Sequence, residues 1–136
     1  MAAPIPYLHF DRVAADALGF YQTVFGGELA LHTFAEFGRT DGPGDAIAHG
    51  ILSGPVDLYG SDAAGDDHPV QVQGLMLSLL GFGPPDVIHG WFTALSAGGE
   101  VIDPLQQRPW GAWDGMLRDR FGLTWLLGYE VDAANP

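Results

Sequence analysis

The chain repeats itself, and this constrains its fold more than any single motif. Phe20-Tyr21 precedes Gly26-Gly27-Glu28-Leu29, and Trp91-Phe92 precedes Gly98-Gly99-Glu100-Val101. Farther on, Gly54, Leu58-Tyr59 and Gly60 are echoed, at one common offset, by Gly122, Leu126-Leu127 and Gly128. Double glycines recur by chance in a chain with 20 glycines, but four features returning in the same order do not. Such a repeat is one supersecondary unit used twice. A unit that leaves a sheet face uncovered is expected to bury it against its twin.

Local patterning defines the unit. Ile5 to Phe10 alternates as a strand, with Ile5, Tyr7 and His9 on one face and Pro6, Leu8 and Phe10 on the other. Ala14 to Phe25 carries Ala14, Leu18, Tyr21 and Phe25 at helical spacing, and Gly26-Gly27 stops that helix. Glu28 to Phe37, Ala46 to Leu52 and Pro55 to Tyr59 read as strands between Gly, Pro and Asp clusters. After a polar stretch the order restarts. Val70 to Leu80 reads as a strand, Val87 to Leu95 as a helix with Ile88, Trp91, Phe92 and Leu95 on one stripe, and Glu100 to Asp103, Gly115 to Arg120 and Leu123 to Val131 as strands. The prediction is an α+β domain over 1–136: two βαβββ modules (4–61 and 70–131, linker 62–69) pairing into a cup-shaped mixed sheet, with a helix outside each.

Composition allows this. The 136 residues fit one domain, and 47% hydrophobic against 16% charged residues can fill a core. Five Arg, no Lys and 17 Asp plus Glu give a net charge of −12. That surface repels phosphate backbones and anionic lipid, so neither nucleic acid nor membrane is an expected partner, whereas a cationic ligand is attracted. The absence of cysteine excludes disulfides, thiolate metal sites and cysteine nucleophiles. MAAPIPYLHF lacks the basic start of a secretory signal, and no apolar run approaches the ~20 residues of a membrane span, so the expected location is cytoplasmic.

PYLHF, ALGFYQTVFGGEL, RPWG and RDRFGLTWLL together resemble the vicinal oxygen chelate (glyoxalase/bleomycin-resistance/dioxygenase) superfamily, from Pro6 to about Glu130. The likeness is greatest to its PhnB-like subgroup, which carries a 3-demethylubiquinone methyltransferase label. No glycine-rich loop between a strand and a helix supports a methyl-donor nucleotide here. The resemblance implies a homodimer with a ligand in the cup. Metal-dependent members take one His, Gln or Glu ligand from the first and last strand of each module. Aligning the FY and D-x-F-G landmarks puts Ile5, Leu58, Gly74 and Leu126 at those positions, and none offers a donor atom. A one-residue slip brings in Asp57 and Gln73 but leaves Ile5 and Leu126 without donors. The expectation is no metal and no cofactor.

His9 shares the inward parity of Ile5 and Tyr7, as a base or ligand donor or as a histidine satisfied by a neighbouring strand. His49, mid-strand, is open to the same two readings. His32 and Glu36 on a strand would stand ~13 Å apart; His68 is read as exposed and His89 as flanking its helix. Trp110 and Trp113 fall in a Gly- and Pro-rich connection that covers either a cavity mouth or a partner subunit. Arg118 would bind a ligand carboxylate or pair with one of the acids. Trp125 is read as core, opposite in parity to Leu126.

The first functional expectation is metal-independent binding or conversion of a small molecule held by Tyr7, His9, Met76, Trp110 and Trp113, with His49 and Arg118 as further candidates. Its binding-only form sequesters a cationic, stacking drug in the bleomycin-resistance manner. The alternatives are a divalent-metal lyase or isomerase of the glyoxalase type, and a non-catalytic domain whose cup is filled by its own side chains. No nucleophile, base and orienting group emerge together, so no reaction is assigned and enzymatic activity stays open.

Overall fold

In the computed structural model, which describes residues 3–131, the chain divides into two units, Met1–Val70 and Gln71–Pro136. The first contains β1 (Tyr7–Phe10), α1 (Ala14–Phe25), β2 (Glu28–Thr33), β3 (Ile47–Ser53) and β4 (Leu58–Asp62). Its sheet runs β1-β4-β3-β2, with β1 parallel to β4 and the other neighbours antiparallel. Alternation decides which face α1 covers. Leu8, Phe10, Leu52 and Leu58 are buried on one face, together with the helix stripe Ala14, Ala17, Leu18, Tyr21 and Phe25. Leu18 packs so closely on that face that a Cβ at Gly50 would lie 2.5 Å from its Cδ1. The other face carries Tyr7, His9, His49, Tyr59 and Ser61.

Two devices join α1 to its sheet. At the start, the buried Asp62 carboxylate accepts the Ala14 N–H at 2.9 Å and the Ile47 N–H at 2.8 Å, tying the helix start and β3 to the end of β4. At the end, Gly26 and Gly27 both take positive φ, and a Cβ on Gly27 would strike the Ser53 carbonyl oxygen. Only glycine lets the chain leave the helix and enter β2 so close to β3.

The second unit repeats the plan with β5 (Leu77–Leu80), α2 (Pro85–Ser96), β6 (Glu100–Gln107), β7 (Trp113–Arg118) and β8 (Thr124–Tyr129). Its sheet runs β5-β8-β7-β6, again with the first strand parallel to the last. Pro85 opens α2, where a missing N–H costs nothing. The expected stripe Ile88, Trp91, Phe92 and Leu95 is buried with Leu79, Leu117, Trp125 and Leu127. Trp125 is core, its indole N–H donating to the Asp119 carboxylate at 2.8 Å. Gly99 answers Gly27: a Cβ there would strike the Arg118 carbonyl oxygen.

Several boundaries differ from the sequence reading, each for a local reason. β2 ends at Thr33 rather than Phe37, because the Thr33 N–H donates to the Glu36 carboxylate (2.8 Å) and the Glu36 N–H to the Thr33 hydroxyl (3.1 Å). This reciprocal pair closes a turn. It brings His32 Nδ1 within 3.6 Å of Glu36 Oε2, correcting the extended-strand spacing. β4 spans Leu58–Asp62 rather than Pro55 to Tyr59, because the Asp57 carboxylate accepts the Gly54 N–H at 3.1 Å and makes that stretch a turn. β1 begins at Tyr7 and β5 only at Leu77, with Leu75 and Met76 exposed ahead of it. β6 runs on through Pro104 to Gln107, which a bulged edge strand tolerates. Trp113, expected in a loop, opens β7.

Candidate functional site

A ligand-sized cavity lies in the second unit, where β5 and β8 end and β7 begins. Antiparallel register sets Trp113 opposite Tyr129, and their rings stack at 6.0 Å with an interplanar angle of 12°. Behind this wall stands His89 of α2. Its Nε2 lies 2.8 Å from the Tyr129 hydroxyl, and its ring meets Trp113 edge-on at 5.3 Å. Burial pushes the Tyr129 phenol pKa up, so it stays protonated at neutral pH.

The β6–β7 connection supplies the next side. The Arg108 N–H donates to the Ala112 carbonyl at 2.7 Å and the Gly111 N–H to the Arg108 carbonyl at 2.9 Å, closing a turn that presents Trp110. The Arg108 guanidinium bridges Asp103 (2.5 Å) and Asp114 (2.7 Å), and both carboxylates hold its pKa above the usual arginine value. Trp110 is 73% exposed at the turn tip. Leu80, Trp110, Trp113, Asp114, Tyr129 and Glu130 line a cavity of about 530 Å³, a volume typical of small-molecule pockets. Three aromatic side chains beside two carboxylates suit a planar group bearing positive charge.

The first unit assembles three of the predicted residues on the face that α1 leaves uncovered. The Tyr7 hydroxyl is 2.9 Å from His49 Nδ1, with the two rings stacked at 5.6 Å and 14°. Tyr59 stands edge-on to both, at 6.4 Å from Tyr7 and 5.9 Å from His49. His9 lies 5.6 Å from Tyr7, and its Nδ1 is 3.3 Å from the Ser61 hydroxyl. Of the remaining predicted residues, Trp110 and Trp113 meet at the cavity. Met76 lies exposed before β5, and Arg118 pairs with Glu100 at 3.2 Å, so neither lines the cavity. Sequence reasoning missed Tyr59, Asp114, Tyr129 and Glu130 and left His89 as a mere flank. The strand parity of Tyr59 with Ser61, and of Tyr129 with Trp125, was the available signal.

The metal positions carried over by resemblance do not form a ligand set. Ile5 and Gly74 lie outside the strands, and Leu58 points into the α1 core at 1% exposure. The uncovered face of β4 presents Tyr59 and Ser61 instead. Among the described residues no three His, Asp or Glu side chains come together as metal ligands. The donor chemistry does not fit the divalent-metal centre of metal-dependent relatives. Among the described residues, too, no helix is long and apolar enough to cross a membrane.

A βαβββ unit used twice, with the same strand order in both copies, is the architecture that the sequence resembles. The family described as Glyoxalase/Bleomycin resistance protein/Dioxygenase superfamily matches residues 7–127, and the chain belongs to it. Protein PA1353 from Pseudomonas aeruginosa has a similar solved structure, with a TM-score of 0.79 and 31% identity over 97% of this chain and 100% of that one. Uncharacterized protein Rv0887c of Mycobacterium tuberculosis (strain H37Rv) is 31% identical over 139 residues, covering 96% of this chain and 75% of its own. The PhnB protein from Bacillus cereus shares the fold, with a TM-score of 0.75 at 19% identity, over 94% of this chain and 99% of that one.

Proposed function

We propose that this protein binds a small planar, positively charged molecule without the help of a metal ion, in the cavity walled by Trp110, Trp113 and Tyr129. The observation that carries the reading is the pairing of these aromatic side chains with Asp114 and Glu130 around about 530 Å³. Indole faces attract a cation through their quadrupole, and the net charge of −12 draws cations toward the surface. Glu130, together with the Asp114 carboxylate that Arg108 shares, also favours a drug-sequestering role of the bleomycin-resistance type, because these groups answer ligand charge and need no reaction. A glyoxalase-type metal lyase finds no such support, since the donors it requires are not brought together.

Calorimetric titration with N-methylquinolinium, a permanently charged planar cation, tests the proposal. Binding is expected with and without chelator. Trp113→Ala or Trp110→Ala should weaken it by about 1–3 kcal/mol if either indole is a buried anchor. No binding by the folded protein, binding abolished by chelation, or unchanged affinity in both folded variants would each refute the reading.

A further inference from the structure

We propose that His89 couples ligand binding in this cavity to proton uptake, so that a cationic ligand is held at neutral pH and released on acidification. The inference rests on the cavity reading above and adds a control to it. His89 is the one histidine among the described residues of the second unit, and it stands directly behind the ring pair that a ligand would stack against. Its Nε2 is 2.8 Å from the Tyr129 hydroxyl and its ring 5.3 Å from that of Trp113.

Protonating this imidazole disfavours a bound cation in two ways. A positive charge appears one ring away from the ligand. The imidazolium competes for the electron-rich indole of Trp113, whose attraction for the ligand weakens. The Nε2–H then donates to Tyr129 Oη, whereas a neutral imidazole with Nε2 unprotonated accepts the phenol hydrogen instead.

The groups facing His89 isolate this titration. Tyr129 comes from β8 and Trp113 from β7, and Asp86 stands one turn earlier on α2. Tyr129 stays protonated, its pKa raised by burial, and indole does not titrate. Carboxylates come from Asp86 on the same helix and from Asp114 and Glu130 at the cavity, Asp114 being paired with Arg108. Among these side-chain types, imidazole is the one whose ordinary charge change falls between pH 5 and 8.

Titration of N-methylquinolinium at pH 8 and pH 5, beside its neutral isostere 1-methylnaphthalene, tests the coupling. The cation's Kd should rise about ten-fold at pH 5, the size of a like-charge interaction at roughly 12 Å and an effective dielectric of about 20. The neutral probe should change less than about two-fold, having no charge to repel. His89→Gln keeps a donor and an acceptor for Tyr129 and should bind the cation with a flat pH profile. In the wild type, saturating cation should move the His89 ring-proton NMR titration down by about one pH unit, because linkage is reciprocal. A flat wild-type profile, an unmoved NMR titration, or a slope retained in His89→Gln would overturn the coupling while leaving the cavity reading intact. Failure of both probes to bind at either pH would overturn the cavity reading itself.

Discussion

Replacing Asp62 removes the group on which three elements of the first unit converge. Asp62 is 5% exposed, and its carboxylate accepts two backbone N–H groups, from Ala14 at 2.9 Å and Ile47 at 2.8 Å. The Ala14 N–H is one of the donors at the start of α1 with no partner inside the helix, and α1 has no side-chain N-cap of its own. In Asp62→Ala both amides lose their acceptor in a buried setting, at about 1–3 kcal/mol each, and the truncation leaves a small void. The expected cost is about 3–5 kcal/mol. Asp62→Asn keeps one acceptor oxygen but turns an NH2 group toward the other amide, for an intermediate cost of about 2–3 kcal/mol. Urea denaturation would give the global loss. Hydrogen exchange should show the Ala14 and Ile47 amides losing protection ahead of the β2–β3 ladder. A loss below about 1 kcal/mol in Asp62→Ala, or Asp62→Asn as stable as the wild type, would refute the reasoning, since a buried amide without an acceptor cannot be that cheap.

Two further outcomes follow from local geometry. Arg39 makes a two-pronged contact with Asp41 (2.9 and 2.6 Å) that holds the Asp41 carboxyl below the usual aspartate range. The pair's contribution is therefore present above the unfolded aspartate value and is lost as pH falls through the lower folded value. A carbon-detected NMR titration should show this midpoint, and Arg39→Gln should raise it. Gly27→Ala and Gly99→Ala should each cost more than about 1 kcal/mol, because both place a Cβ against a carbonyl oxygen. Gly19→Ala, within α1 and with nothing within 4 Å, should stabilise by roughly 0.5–1 kcal/mol on helix propensity, all read from urea midpoints.

The elements that position the site were largely legible because they obey one-dimensional rules. Both helices were foreseen from apolar stripes, and α1 keeps its expected ends. The double glycines marked places where two backbones nearly touch. The misplaced edges all lie where a side chain overrides strand propensity. Thr33 with Glu36, and Asp57 with Gly54, close turns through hydrogen bonds three residues apart. The Thr-x-x-Glu spacing is a known signature for such a reciprocal pair, whereas reading Glu28 to Phe37 as one strand follows the apolar pattern alone.

The candidate site was only half legible, and the reason is the two-residue period of a strand. A one-residue slip moves every side chain to the opposite face. The resemblance placed Leu58 on the ligand side of β4, whereas pairing with Leu52 sends it into the α1 core and turns Tyr59 outward toward Tyr7 and His49. The same logic acts on Trp113. Read as loop, it had no parity; as the first residue of β7, opposite Tyr129, it shares the helix side of its sheet with Trp125 and Leu127. That placement makes His89 its neighbour although 24 residues separate them in the chain. No spacing rule predicts a helix residue backing a wall built from two strands. The chemistry of the cavity therefore follows from register, and a substitution that shifted the β7–β8 pairing by one residue would dismantle it while leaving every cavity side chain in the sequence.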